Sequence, residues 1–345
     1  MTSHAPRDAA ELAALLRSRP GRVRIVGGGS RQHRIADAGD AVRVRLDRLA
    51  TIARLDAPDQ TCSVDSGVGR AELDAALAAV GLELPCPGGG TLGGLFASDP
   101  VGAASHGGGS PRSLLLGCDA VLADGTTFKS GARVVKSVAG FDVHKLLVGS
   151  QGRLFVATRL HLRCKPRPRA EEWFARDGLD AAAAVALVRD LRAVATAPAA
   201  LQLVRADDGS ITVRGRFAGR ASFVSAMLRQ RSLPAVSPCW QDHVDAPPAG
   251  EVLAGQALAS ALPTLLHAAP PGTPLLWHGG GRFEVALATA TGSDALLRTL
   301  TTANIAACIV HGAPSRRGLG TTLDPGQLQL AANLHRAFDP HGILV

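Results

Sequence analysis

The sequence predicts an α+β protein built from two domains, residues 1–169 and residues 170–345. Its 345 residues are long for one domain, and a hydrophobic content of 46% is ordinary for a globular core. Glycine-rich turns interrupt the first half, whereas the second half alternates hairpins with helices, as antiparallel α+β layers do. A segment rich in proline and arginine, residues 165–168, separates the two patterns and sets the predicted boundary.

In the first domain, helices are predicted over residues 8–17 and 70–80, the second ending at Gly81. Alternating apolar residues predict strands at 23–26, 42–46, 51–56, 61–66, 118–123, 126–129 and 154–162. The strand at 23–26 runs directly into the turn Gly27-Gly28-Gly29-Ser30. Such a turn offers backbone N–H groups to an anion, although an ordinary loop of the same composition remains the alternative.

The most glycine-rich stretch of the chain runs from Pro85 to Lys145. Ordered glycine loses extra backbone entropy, so its abundance here indicates close backbone approach or positive φ rather than stability. Loops of this kind turn their N–H groups toward phosphate. We therefore expect a phosphate-bearing cofactor along this stretch, and a surface loop without a ligand is the alternative that the residues leave open.

A dinucleotide fold of the Rossmann type is excluded for this stretch. Residues 88–93 satisfy the spacing G-x-G-x-x-G, but Pro85 and Pro87 prevent the central strand that must precede it. The acidic residue expected about twenty positions further on is also missing.

In the second domain, helices are predicted at 182–194, 220–229 and 293–302, and strands at 201–205, 211–217, 275–278, 283–288 and 304–310. Asp324 and Pro325 supply the N-cap and the first-turn proline of a last helix.

The charge distribution favours an anionic small-molecule ligand. The net charge is +8, and residues 1–170 hold 23 Lys and Arg against 15 Asp and Glu, while the remainder is balanced. Tyrosine is absent and aromatic residues make up 3%, which argues against a nucleic-acid surface.

The spacing of the cysteines and the hydropathy of the chain indicate the cellular compartment of the protein. The six cysteines include no CxxC pair, so we expect reduced thiols and no metal site. Neither a secretory signal nor an apolar run long enough to span a bilayer is seen. The prediction is a cytoplasmic protein that associates with a membrane only through partners.

Several pieces of the first domain, taken in order, resemble the FAD-binding domain of the vanillyl-alcohol-oxidase or PCMH type. They are Gly27 to Ser30, Thr91 to Gly94, Leu116-Gly117 with Ala123 to Gly125, and Val135-Lys136 with Ala139 to Asp142. Within that superfamily the segments Leu275 to Trp277, Gly280 to Arg282 and His335 to Leu344 resemble the FAD-binding accessory subunits of bacterial glycolate oxidases. The resemblance implies two α/β subdomains that bind FAD, followed by a smaller antiparallel α+β cap domain.

The resemblance also implies which residues bind FAD. They are Val26, Gly27, Gly28, Gly29, Ser30, Pro87, Gly89, Gly90, Thr91, Gly93, Gly94, Ala97, Ser98, Val101, Gly102, Ala103, Lys136, Gly149, Gly152 and Val156. Ser30 stands where relatives with a histidyl-flavin carry histidine, so we expect the FAD to be non-covalent.

Catalytic candidates are few. His106 lies within the glycine stretch, His278 follows Trp277, and Arg316 has the charge to hold a carboxylate. For each, a structural role is the alternative that the residues leave open.

The resemblance implies that the protein is an FAD-binding subunit of a glycolate oxidase-like complex, and that this complex oxidises a small 2-hydroxy acid. Its implied partners are a catalytic FAD subunit and an iron–sulfur subunit, which would carry the electrons onward. We expect a partner surface around Trp240 and Trp277. A non-catalytic scaffold that keeps the fold and a stand-alone flavin oxidase are the alternatives.

Overall fold

The structure is a computed structural model that describes residues 3–18, 21–30, 39–100, 102–133, 141–193, 197–238, 240, 243–245, 249–321 and 325–345. The strands, in chain order, are β1 (Ser3–His4), β2 (Val23–Val26), β3 (Val42–Arg45), β4 (Ile52–Asp56), β5 (Thr61–Asp65), β6 (Leu82–Glu83), β7 (Leu115–Val121), β8 (Thr127–Gly131), β9 (Val156–Arg163), β10 (Lys165–Pro166), β11 (Ala170–Leu179), β12 (Ala200–Arg205), β13 (Ile211–Gly219), β14 (Ala235–Val236), β15 (Glu251–Gln256), β16 (Leu275–His278), β17 (Arg282–Leu287) and β18 (Ala306–His311).

The α-helices are α1 (Ala9–Arg17), α2 (Arg70–Ala79), α3 (Leu92–Ser98), α4 (Ser105–Gly108), α5 (Pro111–Leu114), α6 (Ala181–Ala193), α7 (Ala221–Gln230), α8 (Leu262–Ala268), α9 (Ala290–Thr302) and α10 (Pro325–Phe338). Short 3₁₀ turns lie at Val143–Leu147, Ala259–Ala261 and Pro314–Arg316.

The chain divides into two compact units. The first comprises residues 1–100, 110–167 and 324–345, and the second comprises residues 101–109 and 168–323. The sequence boundary at residue 169 therefore differs from this division in two places. The C-terminal segment with α10 packs in the first unit, where Val345 N–H donates to the Val23 carbonyl at 3.0 Å. The loop 101–109 packs in the second unit, where Leu201 N–H donates to the Ala103 carbonyl at 3.2 Å.

The first unit is built on two larger sheets. A parallel sheet has the order β1-β3-β2, and an antiparallel sheet has the order β4-β5-β9-β7-β8. Helices α2 and α3 bury Leu73, Leu77 and Phe96 in the same core as Leu160 of β9, because their apolar residues recur at helical spacing. This core fixes α3, whereas Val23 of β2 is buried in a separate core of the same unit. The glycine turns adjoin these two elements.

The second unit is one antiparallel sheet of eight strands in the order β14-β11-β13-β12-β16-β17-β15-β18. Alternate residues of the strands, such as Leu201 and Leu203 of β12, enter a core with α6, α8 and α9. Trp277 is 0% exposed in this core, and its Nε1–H donates to the Ala257 carbonyl at 2.9 Å. The expectation of a partner surface at Trp277 is therefore wrong, because the indole is already covered by this chain.

The predicted α+β class is confirmed, and most element boundaries agree within a few residues. The helix predicted from residue 293 begins at Ala290, because Thr289 caps it by accepting from Gly292 N–H at 3.1 Å. Sequence analysis missed β11, β15 and α8. Both missed strands have charged or small residues at alternate positions, which hides their apolar period.

Candidate functional site

The two predicted glycine turns of the first unit come together at Thr91, although they lie 63 residues apart. Gly28 N–H donates to Oγ1 of Thr91 at 3.4 Å. A Cβ added to Gly27 would lie 2.0 Å from the same oxygen, so only glycine permits this approach. The turn after β2 and the turn before α3 thus form one surface.

On the outer side of this surface, the glycine backbone has free space beside it. A Cβ added to Gly29 or Gly89 would meet no heavy atom of the described residues within 4 Å. Gly29, Gly88 and Gly90 have φ values of +75°, +95° and +79°, which bulkier residues rarely adopt. Among the described residues, no hydrogen-bond acceptor is found for the N–H groups of Gly29, Gly89 and Gly90. Successive N–H groups left in this state form a nest for an anion.

Arg70 holds the second glycine turn in shape. Its Nη1 donates to the carbonyls of Cys86 and Gly88 at 2.7 and 3.3 Å, and its Nη2 donates to the Leu84 carbonyl at 2.9 Å. Its Nε lies 2.8 Å from both carboxylate oxygens of Asp74, which keeps the guanidinium in place. Sequence analysis missed this residue, because its only signal was a basic side chain at the start of a helix.

Gly93 faces the protein rather than the open side. Its N–H donates to the Ser66 carbonyl at 2.7 Å, and an added Cβ would lie 2.7 Å from the Ser66 Cβ. Gly94 sits beside Thr91, where an added Cβ would lie 3.2 Å from Oγ1. The steric reason for glycine at these two positions is therefore the packing of α3.

A third predicted segment, residues 149–152, lies against the end of α3. Gly149 N–H donates to the Phe96 carbonyl at 3.3 Å, and Gln151 N–H donates to the Ala97 carbonyl at 2.9 Å. Gly152 has φ +78°, and an added Cβ would lie 3.4 Å from the Ile25 Cβ of β2. The first unit therefore brings β2, α3 and this turn into one region.

The remaining predicted cofactor residues fall into four groups. Val26, Pro87, Ala97 and Ser98 are partly exposed in this region, whereas Val156 is buried at the start of β9. Gly102 and Ala103 are buried in the second unit. Val101 and Lys136 lie outside the described residues. The binding role of all these residues stays a prediction.

His278 lies in a buried polar chain across three strands of the second unit. It is 1% exposed, and its Nδ1 is 3.3 Å from Nε2 of Gln202. Oε1 of Gln202 in turn accepts from Nε of Arg214 at 2.7 Å. Gln202 and Arg214 are polar residues at alternate positions of their strands, and sequence analysis did not single them out.

Arg316 is held by two carboxylates. Its Nε donates to Oε1 of Glu251 at 2.5 Å, and its Nη2 donates to Oδ1 of Asp294 at 2.7 Å. These hydrogen bonds raise the pKa of Arg316 and neutralise its charge locally. This arrangement favours the structural alternative for Arg316 over the binding of a substrate carboxylate.

A serine, a histidine and an aspartate meet in the first unit, on neighbouring strands. Oγ of Ser63 is 2.9 Å from Nδ1 of His161, whose Nε2 is 3.7 Å from Oδ1 of Asp119. Ser63 is only 3% exposed, and burial is the main cause that lowers the pKa of His161. The buried hydroxyl cannot reach a substrate, so this cluster stabilises the sheet.

In the part of the chain that the structure describes, no three or more His, Cys, Asp and Glu side chains come together as metal ligands would. No helix in those residues has the length and apolar character needed to cross a bilayer.

Comparison with known families places an FAD-binding domain in this chain. The family described as "FAD binding domain" matches residues 4–131, which include both glycine turns. FAD is therefore the cofactor of this domain. The chain's own residues fit that cofactor, because Gly29 and Gly89 leave open space beside unpaired N–H groups within the described residues.

Two curated relatives share part of the sequence. The chain is 34% identical over 137 residues to glycolate oxidase subunit GlcE of Escherichia coli strain K12, covering 38% of this chain and 39% of that protein. It is 32% identical over 170 residues to a mitochondrial D-lactate dehydrogenase (cytochrome) of Arabidopsis thaliana, covering 47% of this chain and 30% of that protein. The chain thus matches well under half of the length of these curated relatives.

The fold also matches a solved structure, that of an alkyldihydroxyacetonephosphate synthase. The TM-score is 0.68 at 14% identity, and the match covers 98% of this chain and 74% of that one. At this identity the comparison shows the fold alone, and it confirms the predicted fold class.

Proposed function

We propose that the protein is an FAD-dependent oxidoreductase subunit acting on a small 2-hydroxy acid in a glycolate oxidase-like complex. The observation that carries this proposal is the surface of two glycine turns joined at Thr91, with open N–H groups, in an FAD-binding domain. The matched relatives named above are a glycolate oxidase subunit and a D-lactate dehydrogenase, which supports this substrate class.

In this proposal, N–H groups of Gly29, Gly89 and Gly90 hold the FAD pyrophosphate, and Thr91 and Arg70 fix the turns that present them. The bound flavin supplies the two-electron oxidation of the hydroxy acid. The chain's part is to bind and orient that cofactor, and we expect electrons to leave through a catalytic FAD subunit and an iron–sulfur subunit.

The same site predicts non-covalent FAD. Ser30 offers no imidazole for attachment, so acid precipitation of the yellow protein should release all of its flavin into the supernatant. The measurement is the flavin absorbance near ~450 nm of supernatant and pellet. Flavin that stays with the pellet after washing would contradict the prediction.

Assembly gives the second prediction. The isolated chain should retain FAD but oxidise glycolate or D-lactate far below ~1 s⁻¹ with an artificial acceptor, the low end for ordinary enzymes. Activity should appear when the chain is co-purified from its host with the predicted subunits, which mass spectrometry would identify. Turnover of ~1 s⁻¹ or more by the isolated chain would favour a stand-alone oxidase.

A non-catalytic scaffold is the remaining alternative. It predicts the same fold without flavin. A chain that purifies colourless, and does not quench FAD fluorescence on titration, would support the scaffold and sink the proposed function.

A further inference from the structure

Two cysteines of the first unit have their sulfur atoms side by side. Cys62 of β5 pairs in register with Leu162 of β9. Just beyond the end of β9, Cys164 N–H donates to the Gln60 carbonyl at 2.7 Å and continues the same pairing. The sulfur atoms of Cys62 and Cys164 are 3.7 Å apart, at the distance of a hydrogen bond between two thiols.

Both thiols are free and buried in one core. Cys62 is 2% exposed and Cys164 is 0% exposed, and both side chains pack in the core that holds α2 and α3. The hydrogen bond between the two thiols lowers the pKa of Cys164 and raises that of Cys62. Cys164 is therefore the thiol that ionises first, and a thiolate is the nucleophile of disulfide chemistry.

A third cysteine of the same core lacks these features. Cys118 of β7 is 0% exposed, and burial is the main cause that raises its pKa to about 12. Among the residues that the structure describes, its sulfur makes no hydrogen bond to a second sulfur. Burial in this core alone therefore does not account for the contact between Cys62 and Cys164.

We propose that Cys62 and Cys164 are a redox-active pair that closes to a disulfide in the folded protein when a small-molecule disulfide acts as the oxidant. The pair lies outside the surface formed by the two glycine turns. It can therefore close whether or not the chain oxidises a hydroxy acid.

The reaction is a double thiol–disulfide exchange. The Cys164 thiolate attacks one sulfur of the small disulfide, which gives a mixed disulfide and releases one thiolate of the oxidant. Cys62 loses its proton, attacks the Cys164 sulfur and releases the second thiolate of the oxidant. The protein gives up two electrons and two protons in total, and the oxidant becomes two thiols. The two sulfurs approach from 3.7 Å to about 2.05 Å.

The oxidant reaches these buried sulfurs only when the sheet opens locally. The chain after Cys164 is held by β10, which pairs with β6 over two residues, and by Arg167 N–H, which donates to the Gly81 carbonyl at 3.0 Å. Short pairings of this kind open at a lower free energy than the central strands of a core. We therefore expect oxidation to be slow compared with that of an exposed thiol, but to proceed without global unfolding.

The disulfide would close a loop between positions 102 residues apart. That loop contains α3 and the glycine turn before it. A cross-link of this length restricts the unfolded chain and so favours the folded one. The stability of the first unit would then depend on the redox state of its thiols.

The experiment exposes the full chain, without denaturant, to oxidised glutathione, and a parallel sample to dithiothreitol. The remaining thiols are then alkylated in denaturant, and the peptides are identified by mass spectrometry. We expect one linked peptide pair that contains Cys62 and Cys164, with the other four of the six cysteines alkylated. The oxidised chain should unfold at a temperature at least ~5 °C above that of the reduced chain.

Single substitutions provide the controls. Cys62→Ser and Cys164→Ser should form no internal link, and oxidation should not raise their unfolding temperature. Cys118→Ser, the matched control in the same core, should keep both the link and the rise. The inference would be overturned if the unmodified chain formed no link, stopped at a glutathione adduct, or linked its cysteines in mixed pairs as an unfolding chain would. An oxidised chain that unfolds no later than the reduced one would contradict the stabilising effect.

Discussion

Replacing Gly89 by leucine is expected to abolish FAD retention while the protein stays folded. Among the residues that the structure describes, no atom lies within 4 Å of a Cβ added at Gly89, and the φ of Gly89 is not in the left-handed region. The new side chain therefore costs the fold nothing, and loss of backbone freedom in the unfolded chain stabilises it by about 0.4–1 kcal/mol. The same side chain fills the space that the FAD pyrophosphate needs beside the N–H groups. We expect the affinity for FAD to fall at least ~100-fold, equal to about 2.7 kcal/mol.

The measurements are FAD titration by fluorescence quenching and thermal unfolding of the flavin-free chain. Ala75→Leu, on an exposed position of α2, is the matched control and should bind FAD normally. Gly93→Ala is expected to affect stability instead, because the new Cβ would lie 2.7 Å from the Ser66 Cβ. It should destabilise the first unit by about 1–3 kcal/mol through overpacking. Full FAD retention by Gly89→Leu would show that the cofactor lies elsewhere.

Replacing Arg70 by methionine is expected to lower the free energy of unfolding by about 3 kcal/mol and to remove FAD binding as well. The guanidinium satisfies the carbonyls of Leu84, Cys86 and Gly88, and only 15% of its side chain is exposed. Methionine has similar length but no donor, so each of these carbonyls loses its hydrogen bond to the guanidinium, at a cost of about 1 kcal/mol per bond, although the Leu84 carbonyl keeps the hydrogen bond from Cys86 N–H. The glycine turn that they belong to then loses the shape that presents its N–H groups.

Arg54→Met is the matched control for this substitution. Arg54 pairs with Asp56 at 2.6 Å, but 56% of its side chain is exposed, so its loss should cost at most ~0.5 kcal/mol. The loss of unfolding free energy in Arg70→Lys should lie between the losses in Arg70→Met and Arg54→Met. A lysine ammonium group cannot reach every carbonyl that the planar guanidinium reaches. Chemical denaturation with FAD titration of each variant gives both quantities. A stable Arg70→Met chain that binds FAD normally would contradict the role assigned to Arg70.

Most helices and strands of the FAD-binding domain could be predicted because their capping residues and apolar periods lie within the elements themselves. Asp8 caps α1 by accepting from Glu11 N–H at 2.8 Å, and the alternating residues of β5 and β9 follow the period of a sheet. The glycine turns could be predicted for the same reason, since the ability to adopt positive φ is a property of the glycine residue itself. By itself, therefore, the sequence determined the fold class, most elements and the positions of the two glycine turns.

The tertiary structure alone decided which glycines serve which purpose. Gly93 and Gly89 look alike in sequence, yet one packs on Ser66 and the other faces open space. It also decided that Arg70 supports the turn, that Arg316 is neutralised by Glu251, and that His106 packs with the second unit. These outcomes depend on contacts between residues up to 173 positions apart. Such contacts leave no periodic trace in the chain, because local spacing records backbone preference and burial but not which distant side chain arrives.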